Sequence, residues 1–152
     1  MAIAEPQFED LYRELILDHY RRPRNRGELA AATARAHGLN PVCGDEVSID
    51  LRAAEGRIEE ICFRGEGCSI SQASASMLTE RVRGGTLVEA RQVSNAFAAL
   101  LTGEPQDGCA LGDLEALEGV AKFPVRVKCA LLSSKVLEDA LAQAARSPQE
   151  AS

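Results

Sequence analysis

The hydrophobic period of this chain changes twice. Phe8, Leu11, Tyr12, Leu15, Ile16 and His19 recur at the spacing of one helical face. Further on the period drops to two. Val47, Ile49 and Leu51 alternate with Ser48, Asp50 and Arg52, as on a strand with one side in a core. From Ile70 onward the helical period returns. A chain that groups its strands between helices does not alternate β and α, so the parallel βαβ solution is disfavoured. The expected class is α+β: a three-stranded antiparallel sheet with one helix before it and several helices packed on one face.

Local punctuation sets the expected boundaries. The first helix should cover residues 6–20, because Pro23 and Gly27 forbid continuation. The four arginines at 21, 22, 24 and 26 read more readily as a solvated loop at a helix C-terminus, which favours cations, than as an anion site. Strands are expected at 33–39, 47–52 and 58–63. Ile58 is out of step with Ile61 and Phe63, and a bulge would restore the face. Ile70, Ala73, Met77 and Leu78 line a Ser- and Ala-rich helix that stops at Gly84 and Gly85. Thr86-Leu-Val-Glu89 has the form of a capping box. It opens a helix carrying Ala90, Val93, Phe97, Leu100 and Leu101, which Gly103 and Pro105 end. Residues 106–119 are Gly-rich, with one or two turns expected near Asp113. A last helix should start around Val125 and bury Cys129, Leu132, Val136, Leu137, Ala140, Leu141 and Ala144. One domain is expected over residues 1–146, and a disordered tail over 147–152.

Charge removes whole classes of function. Lys and Arg total 17 against 23 Asp and Glu, a net charge of -6. Nucleic-acid binding normally shows a basic excess, and stacking platforms need aromatics, of which there are only four Phe and two Tyr. No nucleic acid and no membrane is expected as a partner. No apolar run is long enough to span a bilayer. Residues 1–6 carry neither a basic nor an apolar leader segment, so the expected compartment is the cytoplasm.

Five cysteines remain, at positions 43, 62, 68, 109 and 129. An odd number without a leader argues against a disulfide framework. Cys43 lies in a tight loop between two strands, with Asp45 two residues on. Cys68 lies between the last strand and a helix. An antiparallel meander brings these two to the same end. Cys129 is expected in the first turn of the last helix, on its core side. Thiolates at helix starts are stabilised by free N–H groups. Three thiolates and a carboxylate suit tetrahedral zinc. Gly44, Gly65 and Gly67 would let backbone approach such a site. Spacing alone leaves the bland alternative open, that all five cysteines are small buried hydrophobes. No C-x2-C occurs.

The motifs resemble a known family. Asn40-Pro-x-Cys-Gly-Asp45, Gly65-x-Gly-Cys-x-Ile-Ser-x-Ala-Ser-x-Ser-Met77 and Arg126-x-x-Cys129 are similar to those of the iron–sulfur cluster assembly family of IscU, SufU and the NifU N-terminal domain. The opening Leu11-Tyr, Ile16-Leu-Asp-His-Tyr20 and Pro23-Arg-Asn-Arg-Gly27 match as well. The resemblance runs over residues 8–145. It implies a metal site at Cys43, Asp45, Cys68 and Cys129. Zinc is the implied metal, or an iron–sulfur cluster at the same ligands.

Three departures set the branch. Lys128 stands where the scaffold branch has a His before its last cysteine. Phe123-Pro-Val-Arg-Val-Lys128 stands where that branch carries a Leu-Pro-Pro-Val-Lys peptide read by a chaperone. The stretch from Met77 to Arg126 is long. These resemble the SufU branch, a zinc-dependent sulfurtransferase-like protein that accepts persulfide sulfur from a cysteine desulfurase and serves downstream iron–sulfur assembly proteins. The alternative is a scaffold on which a cluster is built. Cys43, on a flexible loop, is the expected sulfur-carrying group. Arg126 would pair with Asp45 or with the outgoing persulfide. Cys62 and Cys109 match no motif and read as structural. His19 and His37 read as core histidines with satisfied ring nitrogens.

Overall fold

The computed structural model describes residues 4–105 and 108–146, with side chains from residue 12 onward. The tail expected at 147–152 lies outside the described residues. The element order is α1 (Ala4–Arg21), β1 (Ala34–Asn40), β2 (Asp45–Ala54), β3 (Arg57–Glu66), α2 (Ser69–Val82), α3 (Leu87–Thr102), a 3₁₀ segment (Gly112–Lys122) and α4 (Pro124–Arg146). The sheet is antiparallel throughout, in the order β1-β2-β3. No helix among the described residues is long and apolar enough to cross a membrane.

The period-two pattern explains the inner face. Val47, Ile49 and Leu51 of β2 and Ile58, Ile61 and Phe63 of β3 have no exposed surface. Ile49 pairs with Phe63, Leu51 with Ile61 and Ala53 with Ile58. The last step skips Glu59, so β3 carries one extra residue there and returns Ile58 to the buried side.

The outer face departs from simple alternation, because Asp50 is fully buried there. The chain between α1 and β1 crosses that side of the sheet. The Leu29 amide donates to Asp50 Oδ2 at 3.1 Å and the Arg64 guanidinium at 2.9 Å. That bond to Asp50 raises the Arg64 pKa, against the opposing effect of burial. The arginine loop is therefore not merely solvated. Its arginines at 21, 22 and 26 are exposed, but its backbone docks on the free edge of β3. Phe63 N–H donates to Asn25 O, and Gly27 N–H to Phe63 O, both at 2.9 Å. Such cover protects an open sheet edge.

Helix α2 occupies the centre, against α1, α4, the sheet and the 3₁₀ segment. Residues 71–79 are all buried, more than the one expected face. Its serines make this possible because each hydroxyl finds a partner. Ser74 Oγ donates to Ala130 O at 2.7 Å, and Thr79 Oγ1 to Ala75 O at 2.9 Å. The capping box at Thr86 and Glu89 forms, and Gly103 closes α3 in the left-handed conformation. The segment expected as one or two turns near Asp113 is an eleven-residue 3₁₀ run, pinned by buried Leu114, Leu117 and Val120. Pro124 is the first residue of α4, a position where its missing N–H costs nothing.

Candidate metal centre

Three chain segments meet at one end of the sheet. The β1–β2 hairpin closes with Asn40 opposite Asp45, leaving residues 41–44 as the turn. Within it Cys43 N–H donates to Asn40 O at 3.3 Å, and Gly44 has φ +70°. Cys68 is the N-cap residue of α2, and its N–H donates to Asp45 Oδ1 at 2.9 Å. Gly67 allows this approach. Its φ is +146°, and a Cβ there would overlap the Asp45 carboxylate. Cys129 arrives from α4 with no exposed surface. It is the sixth residue of that helix, so it sits in the second turn and not the first. Free N–H groups at the helix start therefore support Cys68 but not Cys129.

Cys129 Sγ lies 2.9 Å from Cys43 Sγ. The ligand atoms of Cys43, Asp45 and Cys129 all stand within 4.8 Å of one another. Cys68 does not meet that limit with all three, although its thiol contacts both Asp45 and Cys129. The side-chain amide of Asn40 donates to Asp45 Oδ2 at 3.3 Å and to Cys129 Sγ at 3.7 Å.

The electrostatics suit a cation. Asp45 is 1% exposed. Burial alone would raise its pKa, but the Cys68 amide, the Cys129 and Cys68 thiols and the Ser71 hydroxyl hold it below the usual carboxylate value. Asp45 makes no ion pair among the described residues. A buried carboxylate without a cation is costly, and a metal ion would supply the missing charge. Burial, contact with Cys43 and the Asp45 carboxylate push the Cys129 thiol well above its ordinary value. Three sulfur donors and one oxygen fit zinc's preferences.

The other expected residues sort as follows. Arg126 is exposed on α4, one turn before Cys129, and does not pair with Asp45 among the described residues. It borders a groove of about 650 Å³ with Arg13 and Lys122. Cys62 and Cys109 are half-buried and stand outside the cluster. His19 is fully buried with both ring nitrogens satisfied, by Ser76 Oγ at 2.7 Å and Asp113 Oδ2 at 2.8 Å. His37 is not a core residue. It is about half exposed and pairs with Glu46 at 2.9 Å, because position 37 falls on the open side of edge strand β1. Asn40 and Ser71 stand within the motifs but were not assigned a role at the site. An Asn before a proline in a tight turn was the available signal for Asn40.

The family profile of the NifU-like N terminal domain matches residues 11–130. The chain belongs to this family. It is 44% identical over 136 residues to the zinc-dependent sulfurtransferase SufU of Bacillus subtilis (strain 168), covering 89% of this chain and 92% of that one. It is 38% identical over 144 residues to the iron-sulfur cluster assembly scaffold protein IscU of Streptococcus pyogenes serotype M1, covering 94% and 90%. Among solved structures, the putative SUF-system scaffold protein of Fervidobacterium islandicum AW-1 superposes with a TM-score of 0.81 at 34% identity, covering 84% of this chain and 94% of that one. The Brucella abortus NifU-like N-terminal structure has a TM-score of 0.80 at 26% identity, covering 89% and 94%. Family members thus share the sheet and helix arrangement that brings the three segments together.

Proposed function

We propose that this protein is a zinc-dependent sulfur acceptor in iron–sulfur cluster assembly, taking persulfide sulfur from a cysteine desulfurase through Cys43. The supporting observation is the contrast within one sulfur pair. Cys43 and Cys129 touch, yet Cys43 is half-exposed on a turn while Cys129 is locked inside α4. Cys43, Asp45, Cys68 and Cys129 would hold the metal. Zinc bound there would keep the thiols deprotonated near neutral pH.

Transfer is thiol–persulfide exchange. The Cys43 thiolate attacks the outer sulfur of the desulfurase persulfide, a new S–S bond forms on Cys43, and the desulfurase cysteine leaves as thiolate. Asp45, Cys68 and Cys129 keep the rest of the site in place while Cys43 is engaged. Arg126, unpaired with Asp45 and one turn from Cys129, stands ready to stabilise the anionic persulfide. The work is cytoplasmic, with the desulfurase upstream and iron–sulfur assembly proteins downstream.

Cluster scaffolding is the second reading, favoured by the identity to a relative named as a scaffold over nearly the whole chain. Anaerobically purified protein separates the two: colourless with one zinc, or brown with iron and sulfide. The decisive experiment mixes the protein with a SufS-type desulfurase and cysteine, then traps and alkylates it. Alanine release should rise, and a mass gain of about 32 Da, one sulfur, should sit on the peptide containing Cys43. A gain confined to the Cys129 peptide overturns the assignment.

A further inference from the structure

Asp45, Cys129 and Cys43 differ in their hydrogen-bond donors. Asp45 Oδ1 accepts from the Cys68 amide, and Oδ2 from the Asn40 side chain. Cys129 Sγ accepts from the same Asn40 amide. Cys43 Sγ accepts only from the Cys129 thiol among the described residues, and from no amide. Asn40 is 8% exposed and its backbone oxygen also sets the turn by accepting from Cys43 N–H. It therefore touches both the turn and the buried part of the site, but its side chain serves only the buried part.

We infer that Asn40 is the positioning residue that decides which metal ligand can leave: its side-chain N–H groups anchor Asp45 and Cys129 and leave the Cys43 sulfur unanchored. This rests on the sulfur-acceptor reading above. An N–H donor lowers the energy of an anionic acceptor in place. Partners of this kind orient metal ligands and set how tightly they hold. The anchored Asp45 and Cys129, with Cys68 held at the start of α2, retain the ion, and Cys43 exchanges. The backbone bond to Cys43 fixes where the turn starts without holding the sulfur itself.

The test uses zinc-loaded wild type, Asn40→Asp and Asn40→Ala. Asn40→Asp keeps size and turn but sets an acceptor against two acceptors. Asn40→Ala removes the donor and adds no repulsion. Zinc release to a chelator should accelerate about 10–100-fold in Asn40→Ala, the usual range for loss of a ligand-orienting partner, and further in Asn40→Asp. A residue that only filled space would show the reverse order. Alkylation followed by peptide mapping gives a second readout. Wild type should be labelled at Cys43 first, and the variants should gain label at Cys129. Cobalt loading should show a shifted thiolate charge-transfer band in the variants. Should neither variant fold, the order of labelling in wild type still decides: Cys68 or Cys129 ahead of Cys43 overturns the inference. So does release from both variants within twofold of wild type. Wild type that binds no zinc would instead sink the functional reading.

Discussion

The sulfurs of Cys43 and Cys129 lie 2.9 Å apart, although one belongs to a hairpin turn and the other to a helix 86 residues further on. The contact has a chemical consequence for Cys129. Burial, this neighbour and Asp45 hold its thiol protonated well above the ordinary range.

Stability and metal affinity should therefore respond to pH in opposite directions. In metal-free protein the raised thiol favours the folded state while it stays protonated. That contribution is fully present below the unfolded value, about 8.5, and is lost as pH rises beyond it. Zinc must displace the proton, so its affinity should rise with pH. Chemical denaturation of metal-free protein and zinc titration, each between pH 6 and 9.5, check both slopes. Equal slopes would refute the argument.

Ligand replacement should separate two groups of cysteines. Cys43→Ser, Cys68→Ser and Cys129→Ser should each lose most zinc and unfold at lower temperature, since metal binding is folding free energy. Cys62→Ser and Cys109→Ser should retain one zinc per chain. Metal analysis of freshly purified protein measures this. Zinc loss confined to Cys62→Ser or Cys109→Ser would move the site elsewhere.

Asp45→Ala should behave unlike the cysteine variants. Three sulfur donors remain, and the vacated position opens to water or an added thiol. Retained zinc with altered exchange and altered sulfur transfer is expected. A chelator competition assay reads the exchange rate, and a variant purified without zinc contradicts the prediction.

His19→Ala should cost stability without touching the metal. The ring ties α1 to Ser76 of α2 and Asp113 of the 3₁₀ segment. Its loss removes both hydrogen bonds, a cost of about 0.5–1.5 kcal/mol each; Ser76 keeps the Arg24 amide and Asp113 is open to water. Urea denaturation should show that drop at unchanged zinc content. Zinc lost in proportion would make His19 part of the centre.

What could be read in the chain came from periodicity and punctuation. Val47, Ile49 and Leu51 marked the sheet face. The parity break at Ile58 foretold the bulge, and Thr86 with Glu89 foretold the cap of α3. Each depends on neighbours within a few residues, so the sequence carries it directly. The motifs also named the cysteines that converge, because the hairpin and the β3–α2 connection must share one end of an antiparallel sheet.

The rest depended on what lies across from each residue, and no local pattern encodes that. Asp50 and His37 share strand-like surroundings in sequence. One is buried because the chain before β1 crosses its face, and the other is open because its edge is uncovered. Ser74 and Ser76 look like surface residues until α2 is surrounded and each hydroxyl finds a carbonyl or a ring nitrogen. The 3₁₀ run at 112–122 exists because three apolar side chains reach the core from a glycine-rich stretch. Asn40 gains its role only when α4 carries Cys129 to within reach of its amide. The sequence alone determined the α-helices, the strands and the donor atoms. Tertiary packing decided which donors are anchored, because burial and hydrogen-bond partners come from segments far apart in the chain.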